Sequence, residues 1–317
     1  MIFSKVLIRT YLFFVLFFSL TPIIYSQDTE KECYQRGLEY AISGRFEEAK
    51  QEFQKGLKSD HPFVSPLKAG LDLIEDVIDN KIKKETAIYI FKGTDYGNRG
   101  MWDRAIAEFN QAIESEPDNI LAYNARGSLY AITGASDEAI KDFNRVIELK
   151  PDYAKAYLNR GNVYSQLGRD DSALSDFAKA LALNPRYTEA YYNRGLLYSR
   201  KGLYDEAISD YTKAISLYSK YLAAYYNRGI DYAKKGLYEQ AVSDLDRVIE
   251  LNPKNILVYF QKALICEMAG FNKEALDAYG IFIQSAPLEY DYQRYINLIE
   301  EAKERMKELQ LKQGYRD

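Results

Sequence analysis

A single histidine, His61, stands among 317 residues. That scarcity excludes a histidine-rich metal site and removes the commonest general base. Cysteine is almost as rare. Cys33 and Cys266 are the only two, in segments near opposite ends of the chain, so this is no disulfide scaffold. An excess of basic charge is missing too: 42 Lys and Arg stand against 46 Asp and Glu, a formal net charge of −4. Such a balance offers no broad attraction for nucleic acid or anionic lipid. No glycine-rich loop of the phosphate-cradling kind occurs, and no low-complexity linker. The one extended apolar run, Tyr11 to Tyr25, follows Lys5 and Arg9 and is interrupted by Thr21-Pro22. It is short for a membrane span of about 20 residues and reads as a secretory signal peptide over residues 1–26. The expected cut follows Ser26, although Ile24 is larger than the usual small residue two positions earlier. The alternative is an uncleaved N-terminal membrane anchor; Cys33 lies too far along for lipid attachment. Removing 1–26 takes away Lys5 and Arg9 and no acidic residue, so the net charge moves from −4 to −6.

What the chain does contain is one pattern repeated. The stretch from Thr188 to Tyr221 recurs on both sides with a period of 34 residues. Gly195 has counterparts at Gly93, Gly127, Gly161 and Gly229, and Ala207 at Ala105, Ala139, Ala173, Ala241 and Ala275. Tyr191 repeats at Tyr89, Tyr123, Tyr157, Tyr225 and Tyr259, and Tyr198 at Tyr96, Tyr130, Tyr164 and Tyr232. Prolines close the units at Pro117, Pro151, Pro185, Pro253 and Pro287, with Ser219 in the remaining slot. Tyr191, Gly195 and Tyr198 fall at i, i+4 and i+7, one face of a first helix; Ala207, Tyr211 and Ala214 do the same on a second. Small Gly195 and Ala207 would let the two backbones approach, with the rings of Tyr191, Tyr198 and Tyr211 filling the space beside them. Lys201-Gly202 ends the first helix, Asp205 and Glu206 favour the positive end of the second, and the proline slot stops it.

These columns resemble the tetratricopeptide repeat, a family of helix-turn-helix units. The resemblance implies an all-α fold, an α-solenoid wound as a right-handed superhelix with first helices lining the inside. A hairpin of this kind cannot bury its apolar face alone, so neighbours must stack. After the signal segment, residues 27–63 read as a degenerate first repeat, with Gly37, Tyr40, Ala49 and Phe53 in register and His61 near the proline slot. Residues 64–85 intervene, out of step, with Leu67, Leu71, Ile74 and Val77 at helical spacing, and read as an extra helix. Six consecutive repeats occupy 86–289. Residues 290–317 read as a C-terminal capping helix and tail, apolar at Tyr295, Ile299 and Met306 and otherwise dense in Glu and Lys.

Catalytic chemistry finds no foothold in this pattern. Acid pairs such as Asp170-Asp171 and Glu300-Glu301 fit solvated helix charge better than acid–base work, and neither an enzyme nor a cofactor is expected. Arg126, Arg160, Arg194 and Arg228 recur with Asp142, Asp176, Asp210 and Asp244, equal numbers at equal period, and suggest ion pairs linking helices or repeats. Asn159, Asn193 and Asn227, continued by Gln261, form a further column. By the resemblance it faces the concave groove, where carboxamides could grip the backbone of an extended peptide, as in the asparagine ladder of O-GlcNAc transferase. The competing reading is that each amide satisfies a neighbouring helix. Leu158, Tyr192, Tyr226 and Phe260 sit beside the column, and Asn162, Leu196, Ile230 and Leu264 one turn on. The candidate groove set is therefore Asn159, Asn162, Tyr192, Asn193, Tyr226, Asn227, Phe260 and Gln261. Repeats of this family that clamp a chaperone's C-terminal carboxylate need basic residues where this chain has Leu158, Ala223 and Asn227, so that subfunction is disfavoured.

The expectation is an exported scaffold, periplasmic or secreted, that binds a protein or peptide segment. Nucleic acid is not an expected partner, and membrane is one only if the leader stays attached. A self-associating assembly protein, using end repeats or the convex face, is the alternative. Mass spectrometry of the native N-terminus should find Gln27 first; a chain beginning at Met1 in the membrane fraction would refute cleavage.

Overall fold

The computed structural model describes residues 28–57, 66–286 and 295–314. The leader at 1–26, His61 and the end of the first repeat, Pro287 and the start of the expected cap lie outside the described residues. The chain divides into two compact units, Met1–Pro185 and Arg186–Asp317. Among the described residues there is no strand, and no helix is long and apolar enough to cross a membrane.

Unit 1 holds α1 Asp28–Ile42, α2 Phe46–Gly56, α3 Pro66–Ile78, α4 Lys84–Asn98, α5 Trp102–Ser115, α6 Ile120–Thr133, α7 Ser136–Leu149, α8 Ala154–Gln166 and α9 Asp170–Leu183. Apart from α3 these pair as successive hairpins, each second helix packing on the next first helix where α3 does not intervene. Unit 2 repeats the arrangement with α10 Thr188–Arg200, α11 Tyr204–Leu217, α12 Leu222–Lys234, α13 Tyr238–Leu251, α14 Ile256–Ala269 and α15 Asn272–Ser285, followed by α16 Ile296–Gly314. Each unit is an α-solenoid of stacked hairpins.

The hairpin turn is a backbone device. Gly134 and Gly270 end α6 and α14 with φ of 84° and 78°, the left-handed region that L side chains avoid, and so turn the chain into the next helix. Acidic residues then occupy the first turn of the following helix, among them Asp137 and Glu138 in α7 and Asp170 and Asp171 in α9. Their charge meets the N–H groups at the helix start, whereas Glu301 lies within α16 and accepts from Arg305 at 2.9 Å.

Inside each hairpin but the last, where Ala263 takes the slot, a ring or branched chain of the second helix lies on the glycine of the first. A Cβ placed on Gly93, Gly161 or Gly195 would stand 2.6, 2.8 and 2.8 Å from ring atoms of Phe109, Phe177 and Tyr211. The small residue thus makes room for a ring more than for a backbone. Only at Gly229, opposite Leu245, does the second helix's backbone come close, with the Ala241 carbonyl oxygen 3.2 Å from such a Cβ. Tyr211 is fully buried, whereas Tyr191 and Tyr198 are half-buried, packing against that core while they flank Arg194.

In the first repeat Phe53 does double duty. Its ring lies against Gly37 of α1 and against Gly70 of α3, and its centroid is 6.2 Å from both Tyr34 and Phe91. The extra helix α3 therefore docks on α2 through its own glycine, burying Leu67, Leu73, Ile74 and Val77. At the other end α16 packs on α15 and buries Ile299, Ala302 and Leu309 in the cluster that contains Phe260 and Phe282, with Arg305 bonded to Glu267 at 3.2 Å. Both cysteines are buried and unbridged; burial pushes the Cys266 thiol up to about 11, so it behaves as an inert apolar filler.

Two alanine substitutions should separate packing from propensity. Gly161→Ala should lower stability in urea by about 1–3 kcal/mol, because the Phe177 ring must move within a filled core. Gly280→Ala, inside α15 with nothing within 4 Å, should raise it by about 0.5–1 kcal/mol.

Candidate peptide-binding face

The arginine column is built as a staple. Arg160, on α8 one residue before Gly161, donates from Nε and Nη2 to Asp176 on α9 at 2.8 and 2.7 Å, and from Nη1 to Asn144 on α7 at 2.5 Å. One guanidinium thus joins its own hairpin and ties that hairpin to the preceding one. Arg126 does the same with Asp142 and Asn110, and Arg228 with Asp244 and Thr212. Arg194 pairs with Asp210 at 2.7 and 2.8 Å. Each lies between two tyrosine rings, as Arg160 does 5.7 Å from Tyr157 and 5.8 Å from Tyr164. The fork matches the carboxylate's geometry, and the ring faces favour the cation. Hydrogen bonding to the aspartate holds the Arg126, Arg160 and Arg194 guanidiniums above their ordinary pKa. In the last hairpin Ala278 replaces the aspartate, and Lys262 reaches back to Asp246 at 2.5 Å.

The amide column does a second linking job. In unit 1, Asn159 Nδ2 donates to Asn124 Oδ1 at 3.1 Å and Ser128 Oγ at 3.4 Å, both on α6. In unit 2, Asn227 Nδ2 donates to the Tyr192 hydroxyl on α10 at 3.0 Å and to its own helix's Ala223 carbonyl at 3.0 Å. Each amide therefore reaches back to the preceding first helix with its hydrogens already engaged. Asn124 and Ser128 had not stood out in the sequence. The clue was polarity in a column that holds Leu158 and Phe260 elsewhere.

The candidate residues divide by exposure. Asn159 and Asn162 in unit 1, and Tyr192 and Asn193 in unit 2, are half-buried and reach the surface. Tyr226, Asn227, Phe260 and Gln261 are buried, Phe260 completely, so that these four pack against neighbouring helices. Phe260 meets Phe282 at 5.1 Å and Tyr279 at 5.8 Å, which makes it part of the last hairpin's core. Tyr192 stacks 4.8 Å from Tyr221 and 5.9 Å from Tyr211. Burial, then the neighbouring Tyr192 and Glu189, pushes the Tyr221 hydroxyl well above the usual phenol range. In unit 2 the half-buried Tyr192, Asn193 and Leu196 lie together on α10, one turn apart.

Helical hairpins packed on small residues and tied by arginine and amide bonds define an α-solenoid of short repeats. Models of the tetratricopeptide repeat match residues 33–60, 108–141, 127–168, 161–202, 188–221 and 222–255. Together these cover more than half of the chain, which belongs to the tetratricopeptide repeat family. No curated protein sequence matches it significantly. Among solved structures, a crystal structure of MamA is 30% identical over 51% of this chain and 95% of that one, with a TM-score of 0.47. PilW, a widely conserved type IV pilus biogenesis factor, is 20% identical over 67% of this chain and 98% of its own, with a TM-score of 0.58. The Cut9–Hcn1 hetero-tetramer of the APC/C is 21% identical over 90% of this chain and 57% of that one, with a TM-score of 0.58. The last two show a shared fold and nothing narrower.

Arg160→Met should strand Asp176 and lower stability by about 2–4 kcal/mol, somewhat less than for a fully buried pair because the guanidinium keeps 19% of its surface exposed. Replacing Asp176 by Leu as well should recover most of that loss in a urea double-mutant cycle.

Proposed function

We propose that this chain is a non-catalytic scaffold that binds an extended segment of a partner protein along the exposed faces of its first helices. The observation that carries this reading is a half-buried band of amide and apolar side chains that reaches the surface: Asn159 and Asn162 in unit 1; Tyr192, Asn193 and Leu196 in unit 2. Amides recognise a peptide's backbone whatever its side chains, and adjoining apolar groups supply anchors. The leader read in residues 1–26 supports export, to the periplasm or beyond the cell, with a cell-envelope assembly as the setting. The arginine column is not the binding element, since its charge is spent on the aspartates of its own hairpins.

Self-association is the second reading. It is favoured by the exposed Ile281 on α15 and Leu311 on α16, apolar side chains left uncovered on the last helices of unit 2. Sedimentation separates the two, because self-association makes the mass rise with concentration while the adaptor stays at the mass of one chain.

Replacing Asn159, Asn162 and Asn193, the three amides of the half-buried band, together by Ala should weaken partner binding ~10²-fold if each amide contributes on the order of 1 kcal/mol. Pull-downs from the native envelope with residues 27–317, wild type beside the triple variant, provide the comparison. Unchanged helicity by circular dichroism is the control. Equal capture by the folded variant would move the interface elsewhere; unfolding would assign these amides to packing alone.

A further inference from the structure

Asp231 lies in α12 with 1% of its surface exposed. The same place in other repeats holds Leu129, Val163, Leu197 and Ile265, all buried, so an ionisable carboxyl has taken an apolar slot. Its Oδ1 accepts from Ser199 Oγ on α10 at 2.7 Å and from Lys234 Nζ on its own helix at 2.9 Å. Its Oδ2 is buried and accepts nothing. Lys234 is held in turn 4.9 Å from the ring centroid of Tyr204 on α11.

Other charged groups near the seam are engaged elsewhere. Lys235 bonds Asp205 of α11, and Glu267 of α14 bonds Arg305 of α16. Lys234 is the charged residue that acts on the carboxyl. At the next seam in this unit, between α12 and α14, the matching places hold Ala233, Ile265 and Met268, with no charge at all. Asp95 of α4 occupies the same slot in unit 1, but Arg99 bonds both of its oxygens.

We propose that Asp231 makes the seam between the 188–221 and 222–255 hairpins a proton-sensitive joint, loosened when the carboxyl is ionised and tightened when it is neutral. An ionised carboxylate with one dry oxygen carries a desolvation cost that a single lysine offsets only in part. Burial raises the pKa of this carboxyl, against the downward pull of Lys234 and Ser199. The folded form then holds the proton more tightly than the unfolded one, whose value is about 3.9. Stability at this joint is therefore gained as pH falls through the folded pKa toward the unfolded value, and lost as pH rises through it.

The test compares wild type, Asp231→Leu and Asp231→Asn as full chains at pH 7.5, 6 and 5. At pH 7.5 Asp231→Leu, which restores the residue of the 197 slot, should unfold at higher urea than wild type. That lead should shrink as the pH falls, while the pH profile of Asp231→Asn runs parallel to that of Asp231→Leu. Amide hydrogen exchange in α12, corrected for its intrinsic pH dependence, should slow several-fold relative to α14 on acidification in wild type only. A gap in urea midpoint that stays constant with pH, a wild type more stable than Asp231→Leu at pH 7.5, or equal changes in α12 and α14 would each overturn the proposal.

Discussion

A side chain laid flat on a glycine, from one helix to the other of a hairpin, is the contact on which both units depend. The glycine lacks a Cβ, so the ring of Phe109, Phe177 or Tyr211 occupies the volume a side chain would need. Dispersion and burial act at that point, where the ring fills the volume the glycine leaves. The contact recurs in every hairpin but the last, where Ala263 replaces the glycine, so one local solution serves most of the repeats. Phe53 shows how far it extends, since the same ring accepts both Gly37 of its own hairpin and Gly70 of the inserted helix.

Polar groups add directional links from one hairpin to the next. Arg160 illustrates the arrangement: two bonds close its own hairpin and a third reaches α7 of the preceding one. The tyrosines around it shield the guanidinium without removing it from water entirely, so the pair avoids much of the cost of full burial. Amides such as Asn159 and Asn227 add a second link from first helix to first helix. Apolar contact thus builds the repeat and joins it to its neighbour, and directional bonds add to that joint, which is how a solenoid can be assembled from nearest-neighbour terms. Asp231 departs from this scheme: it puts a charge into an apolar slot and leaves one oxygen without a partner.

Fold class and period were legible in the sequence because each column serves a purely local need: a glycine beneath a ring, a left-handed glycine at the turn, acids at a helix start. The inserted helix could be read from Leu67, Ile74 and Val77, and the staple from arginines and aspartates in equal number. The exposed face was legible only in part. Tyr226 and Phe260 share a column with Tyr192, yet they are buried while Tyr192 is half-buried. Spacing along a helix gives direction, and depth depends on the neighbouring helices, among which Phe282 closes over Phe260.

By itself, then, the sequence determined the repeat, the hairpin turns and the pairing of arginine with aspartate, since each follows from groups a fixed number of residues apart. Only the tertiary structure decided that Tyr191 and Tyr198 flank a cation as well as packing on the core, and that the amide hydrogens of Asn159 and Asn227 are engaged between repeats. It alone decided that Asp231 is dry on one side. The physical reason is common to all three. Exposure and hydrogen-bond satisfaction are properties of a space enclosed by several helices, and that space exists only once the hairpins have stacked.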